Sequence, residues 1–396
     1  MNKVMKRLLI LSIALIMLTS CNNYTPYVRL EQRIMVQLIG VDWYDDDPQY
    51  GEVYKVSMQF SMGKTSDGGK TDNDLSTVTG TGPNLYSAVK EARSVAAKEF
   101  FFTHNQVLIL GEQVIKNNPI TTLEQYLDYC DDHSTALVAG CYGKAEEIIA
   151  LTYKDEYSDK NKIKLILENA NNTALFPAYA IYETLMGAYS ESESCFIPML
   201  KVEDDRSASS GKSSGKSSEG ESGDEGSDGG VGAGSPNAAP AGGAVIISDK
   251  AAFFMNEEQC KGLSLLVNTS DIANVKFLHE DFVYSLEIFK KKTKIIPRFD
   301  GEKLVFHVKF SAFADRGHNP IMETCDRDEF ERLSQEAIVA KLKDAVEATV
   351  RIGGDVILLE DSVKHYDYSA WLKVEDDWYE AMKNAEFVYS AKIKMQ

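Results

Sequence analysis

Several residue groups in this chain are of types that chemistry uses, and their spacing decides whether it can use them. Gly63-Lys64-Thr65-Ser66-Asp67-Gly68-Gly69-Lys70-Thr71 follows an apolar strand and ends like a phosphate-binding loop. Such a loop needs four residues between its glycines, so that successive N–H groups close round a phosphate, whereas Gly63 and Gly69 enclose five. Asp72 and Asp74 then put negative charge where the phosphate would lie. Gly80-Thr81-Gly82 lacks the third glycine of a dinucleotide fingerprint and reads as a turn before a helix. The histidines, His104, His133, His279, His307, His318 and His365, form no HxH, HExxH or HxxxH pair, and no GxSxG supplies a serine nucleophile. His104, just before a buried strand, reads as structural, with a ring nitrogen bonded to backbone. Asp42, Asp45, Asp46 and Asp47 lack the spacing and glycine of a calcium loop and read as a solvated turn. Lys290, Lys291, Lys292 and Lys294 form the one basic run, suited to phospholipid, to an acidic partner, or to protecting an exposed strand edge. No cofactor, metal site or catalytic residue is expected, and the chain is not expected to be an enzyme.

The site residue that the sequence does supply is Cys21. Met1 to Arg7 carries Lys3, Lys6 and Arg7 without an acid, and Leu8 to Leu18 is a run of 11 residues, apolar but for Ser12. That run is too short to span ~30 Å of hydrocarbon and reads as the core of a secretory signal peptide. Leu18-Thr19-Ser20-Cys21 places two small residues before a thiol, which resembles a bacterial lipobox. The small residues let a peptidase admit an extended backbone, and the thiol is the nucleophile that forms a thioether to diacylglycerol. Acyl chains on one residue then hold the protein to a membrane. Of the other cysteines, Cys130, Cys141, Cys195, Cys260 and Cys325 are odd in number and form no CxxC, so they read as small buried hydrophobes. A Cys130–Cys141 bridge is left open by the spacing.

The 396 residues exceed what one core organises, and imply two to three domains. A hydrophobic fraction of 44% excludes a wholly disordered chain, and a mean hydropathy of −0.25 excludes a multi-spanning membrane protein. The formal charge of −18 argues against nucleic acid as a partner. Loss of Lys3, Lys6 and Arg7 with the leader would take it to −21.

The elements that must position any site alternate along the chain. Ile34 to Val41 and Tyr54 to Phe60 read as strands, the second half-exposed, and Gly82-Pro83 opens a helix in which Leu85, Ala88, Val89, Ala92 and Val95 recur at helical spacing. Strand Gln106–Leu110, helix Thr122–Cys130, strand Thr135–Ala139 and helix Lys144–Leu151 follow, with weaker helices over 161–169 and 178–188. Arg206 to Gly243 holds 11 glycines and 10 serines in 38 residues and no aromatic, a composition that cannot offset its chain entropy. Its flanks, Phe196–Val202 and Ala244–Ile247, read as strands, which makes the coil an insertion in a hairpin. Beyond it, Asn256 and Gln259 form a capping box for a helix ending near Leu266. Strands run through Phe282–Ile288 and Leu304–Phe310, a long helix through Asp328–Val350, a second through Asp367–Asn384 with Trp371 and Trp378 on one side, and a last strand through Phe387–Met395. The expected fold is α+β and multi-domain. Its parts are a signal peptide (1–20), an N-terminal α/β-type domain (21–205) with a mixed sheet and helices, a disordered acidic insertion (206–243) and a C-terminal α+β region (244–396) of antiparallel sheet with packed helices.

These pieces, in order, resemble one family. Lipobox Cys21, RIMVQLIGVDW, YKVSMQF, GTGPNLYSAVKEA and above all FFTHNQVLILGEQV (Phe101 to Val114) are similar to the N-terminal domain of Ger(x)C spore germination lipoproteins. AVIISDKAAFFMNEEQCKGLSLLV, FVYSLEIFKKKTKIIPRFDGEKLVFHVKF and WLKVEDDWYEAMKNAEFVYSAKIKM are similar to its later segments, so the resemblance covers nearly the whole mature chain. It departs at DDHSTAL, where relatives carry an Arg-rich turn, and at GGDVILLEDSV before the terminal helix. The resemblance implies a lipid-anchored, non-catalytic C subunit of a nutrient germinant receptor, at the extracytoplasmic face of the spore inner membrane. It also implies α+β domains, three in number, and membrane-embedded A and B subunits as partners. It leaves the nutrient ligand unknown. A different class, a lipid-anchored solute-binding protein serving a membrane transporter, is the alternative.

Overall fold

The computed structural model describes residues 33–47, 51–65, 71–96, 99–130, 135–151, 162–203, 237–279, 282–300, 303–315 and 327–395. Cys21 with its leader, residues 206–236 of the Gly/Ser-rich segment and Cys325 lie outside these, as do the expectations made for them.

A nine-stranded sheet organises the first two thirds of the chain. Strands β1 (Arg33–Asp47), β2 (Gly51–Thr65) and β3 (Thr71–Gly82) form an antiparallel meander on one side. The centre is parallel: β1 pairs with β4 (Glu99–Phe101) and β5 (Val107–Leu110), followed outward by β6 (Leu137–Cys141) and β7 (Ser194–Glu203). Strands β8 (Asn237–Ile247) and β9 (Lys250–Met255) close the other side, again antiparallel. β5 is buried at all four residues, because helices cover both faces of a parallel centre. Leu108 and Leu110 face one layer, made by α1 (Leu85–Ala96), α2 (Glu112–Asn117), α3 (Pro119–Cys130) and α6 (Ile181–Ala188). Val107 and Ile109 face the other, with α4 (Ala145–Ala150) and α5 (Lys162–Asn172).

Local differences from the sequence reading have physical causes. Strand β2 is covered on both sides: Ser57 and Gln59 are buried, and Gln59 Nε2 donates to the Ile149 carbonyl of α4 at 3.1 Å. Gly80-Thr81-Gly82 belongs to β3 rather than to a turn, and a Cβ at Gly80 would stand 2.2 Å from the Ala88 carbonyl oxygen. Glycine there lets the strand lie directly on helix α1. Asn84, not Pro83, starts that helix, its side-chain oxygen accepting from Ser87 N at 2.8 Å. The hairpin across the Gly/Ser-rich segment is present, since β7 and β8 are antiparallel neighbours. The segment 237–243 is strand rather than coil, its small residues fitting close under β7: Gly243 pairs with Pro198, and Ala238 is buried. Strand β8 thus runs through the Gly243–Ala244 position, and β9 carries the same sheet on to Met255.

The second sheet has four strands in the order β10 (Ile272–His279), β11 (Phe282–Asp300), β12 (Lys303–Asp315), β13 (Glu386–Met395). The first three are antiparallel and β13 runs parallel to β12, because the helices between them form a crossover. Helix α7 (Glu257–Leu266) and the long α8 (Arg327–Val350) pack on each other, and α8 packs on β13, so one core joins both sheets. The capping box of α7 is complete: Asn256 Oδ1 accepts from Gln259 N at 2.9 Å and Gln259 Oε1 from Asn256 N at 3.1 Å. A Cβ at Gly262 of α7 would lie 2.4 Å from the Lys341 carbonyl oxygen of α8, which sets how closely these helices approach. The single helix expected over Asp367–Asn384 is broken into α10 (Tyr368–Trp371), a 3₁₀ turn at Glu375–Asp377 and α11 (Trp378–Lys383), preceded by α9 (Leu359–Tyr366). Folding back in this way brings Trp371 and Trp378 to a ring separation of 5.2 Å.

Candidate functional site

The residue groups that spacing singled out are scattered by the fold. Gly63–Thr65 and Thr71 are strand residues of β2 and β3, and residues 66–70 lie outside those described. His104 is exposed, with its ring 5.9 Å from that of Phe101, rather than a buried structural histidine. The buried polar group of that turn is the next residue, Asn105, whose Nδ2 donates to the Tyr126 hydroxyl at 2.7 Å. Among the described residues, no three or more of His, Cys, Asp and Glu are gathered to hold a metal ion. Cys130, Cys141, Cys195 and Cys260 are buried and form no disulfide with one another, so the Cys130–Cys141 bridge is absent, and burial pushes the Cys195 and Cys260 thiols up to about 12.

Asp42 is not part of a solvated turn. It is buried within β1, where that strand pairs with Lys55 of β2, and accepts from the N-terminus of α4, from Ala145 N at 2.7 Å and Glu146 N at 3.0 Å. Burial raises its carboxyl to about 6 against the pull of those N–H groups. Beside it, Glu146 pairs with Lys55 and accepts from the Tyr44 hydroxyl at 3.1 Å.

Asp355 repeats the device in the C-terminal part, with no signal in the sequence beyond one acid inside an apolar run. Its oxygens accept from Leu359 N and Glu360 N of α9, each at 2.7 Å, and full burial lifts the carboxyl to about 7. Glu360 in turn accepts from Ser192 N at 3.2 Å and from Lys364 Nζ, which stands 4.4 Å from the centre of the Trp371 ring. Asp249, in the β8–β9 turn, caps α3 through Ile120 N and the Thr121 hydroxyl, the latter at 2.6 Å. Asp42, Asp355 and Asp249 are thus all spent on helix ends.

The lysine run divides. A bulge between Phe289 and Lys292 in β11, with Lys290 at φ 52°, turns Lys291 inward. Its ammonium donates to the carbonyls of Ser264 at 2.9 Å and Val267 at 3.3 Å, closing the C-terminal end of α7, and burial lowers it to about 8. Lys290, Lys292 and Lys294 point outward from the second sheet. On the first sheet, the outer side of α1, α3 and α6 exposes Tyr86, Tyr129, Tyr182, Met186 and the adjoining Tyr189. Tyr86 and Tyr129 stand 5.0 Å apart there. Aromatic and methionine side chains of this kind are enriched where proteins meet.

Two family models match the chain. "Spore germination protein N-terminal domain" covers residues 26–202, and "Spore germination B3/GerAC like, C-terminal" covers residues 241–396. Comparison with curated proteins found no match. Among solved structures, "Crystal Structure of the GerBC protein" aligns with a TM-score of 0.53 and 16% identity, over 90% of this chain and 97% of that one, which is a likeness of fold.

Proposed function

The chain belongs to the spore germination family of germinant receptor C subunits, and from that premise we propose that it is a lipid-anchored, non-catalytic subunit of a nutrient germinant receptor. It acts in assembly or signalling at the extracytoplasmic face of the spore inner membrane, beside the A and B membrane subunits. The observation that carries the anchoring is the order Leu18-Thr19-Ser20-Cys21 directly after an apolar run, which leaves Cys21 as the acylated residue. Confinement by acyl chains raises the effective concentration of the folded domains at the bilayer, so modest contacts suffice to hold partner subunits. The tyrosine-rich outer side of α1, α3 and α6 is the surface this reading offers to those subunits. Among the described residues no helix is long and apolar enough to cross a membrane.

The test is Cys21→Ala in the whole chain, followed by fractionation and nutrient-triggered germination. Loss of both membrane retention and germination is expected. A soluble variant that germinates normally sinks the proposal. A thermal-shift screen against amino acids and nucleosides separates the solute-binding alternative, which requires saturable stabilisation.

A further inference from the structure

The outer face of the second sheet inverts the charge of the chain. Cross-strand pairing places Phe289, Phe313 and Lys394 on one rung, Lys292, Ser311 and Lys392 on the next, and Lys294, Lys309 and Ser390 on a third. The bulge adds Lys290, whose ammonium lies 5.7 Å from the centre of the Phe313 ring, with Lys394 6.0 Å from the same ring. These three rungs therefore carry Lys290, Lys292, Lys294, Lys309, Lys392 and Lys394 and no carboxylate, in a chain of formal charge −18. The described outer-face acids lie off them: Glu287 and Asp315 on the adjoining rung, Asp300 and Glu386 at the far end. Among the described residues, none of the six lysines has a carboxylate within ion-pair distance.

Such a face is costly for the protein alone. Lys294 stands directly opposite Lys309, an arrangement that destabilises a sheet. Edge protection accounts for Lys392 and Lys394, which lie on the outermost strand, but not for Lys292, Lys294 and Lys309 on the inner strands β11 and β12. The inner face of this sheet is packed against α8, while these lysines are all exposed.

We propose that this face rests on an anionic lipid surface, the six lysines meeting the headgroups and the stacked Phe289–Phe313 pair lying beneath them. The inference rests on the reading that the chain is tethered to a membrane through Cys21. It adds which side of the folded part turns toward the bilayer. Ammonium groups spread over an open sheet suit a diffuse layer of negative charge, which attracts each nearby lysine without fixed geometry. A polybasic patch adds electrostatic attraction to the hold that acyl chains already give.

The test uses the mature polypeptide, Cys21–Gln396, made without acyl groups. It is sedimented with vesicles of phosphatidylcholine alone, or of phosphatidylcholine with a quarter phosphatidylglycerol. Binding is expected only with phosphatidylglycerol, weakening as salt is raised. Each lysine replaced by alanine should weaken it about fivefold, and the pair Lys292→Ala, Lys294→Ala about 25-fold. Lys294→Glu guards against misfolding, since it gives Lys309 an opposite partner and should keep or raise Tm while binding falls. Equal binding to both vesicle types, or variants that bind like the original, would overturn the proposal. So would capture by polyglutamate without binding to phosphatidylglycerol, which assigns the face to an acidic polypeptide. Acylation of Cys21, read by mass spectrometry of the membrane-extracted chain, can fail independently of every vesicle result.

Discussion

The backbone N–H of Asp355 donates to Ser194 Oγ at 2.8 Å, joining residues 161 apart in the chain. Ser194 opens strand β7 of the first sheet, and Asp355 caps a helix of the C-terminal part, so the bond ties the two regions at a fully buried point. A pair of neighbouring links, Ser192 N to Glu360 and the Glu360–Lys364 pair, extends the tie.

Asp355→Ala is expected to cost about 2–4 kcal/mol, because it strips the cap from α9 and leaves two buried N–H groups without acceptors. Ser194→Ala should cost about 1–2 kcal/mol by removing the acceptor of Asp355 N. Urea unfolding of each variant measures both, and a Ser194→Ala loss larger than that of Asp355→Ala contradicts the arrangement.

The same carboxyl gives a pH signature. Asp355 titrates near 7 and Asp42 near 6 in the folded chain, against 3.8 for an ordinary aspartate. Between those values the folded state holds protons the unfolded state has released, so their contribution to stability is complete below the lower value and declines as pH rises. Asp355→Asn removes that decline, and its cost should shrink from pH 5 toward neutrality. Glu112 runs the other way: Lys116 and Gly143 N hold it below its usual range, and that support is lost on acidification. Denaturant titrations across this range check the sign, and a cost that grows with pH refutes it.

Gly262→Ala should cost about 1–3 kcal/mol by driving α7 away from α8, since the added carbon meets backbone at Lys341 rather than a yielding side chain. Thermal unfolding reads the loss. Adding Ala345→Gly, which removes the second contact at 2.8 Å, should recover only part of it.

The four described cysteines should resist a thiol reagent in the native chain and react on unfolding. Burial hides all four and suppresses the thiolate of three, pushing Cys195 and Cys260 up to about 12 and Cys141 up as well. Rapid native labelling of Cys195 or Cys260 would contradict their placement.

Elements whose signals are local can be read directly from the amino-acid order. The α7 capping box, the apolar β5 and the alternation of β11, β12 and β13 were all legible, because periodicity and capping act over a few residues. So was the order of segments that carries the family, and with it the resemblance of residues 18–21 to a lipobox. Strand β3 carries no such signal, because its sequence, TDNDLSTVTGTG, is polar and its glycines serve a neighbouring helix. The roles of the charged residues follow instead from how the chain packs. Asp42, Asp249 and Asp355 cap helices, two of them across about a hundred residues or more, and nothing local marks those partners. Four lysines nearly adjacent in sequence were separated by one bulge into a buried helix cap and an outward row. Lysines from β12 and β13 join that row only through strand register, a property of pairing that no single segment contains.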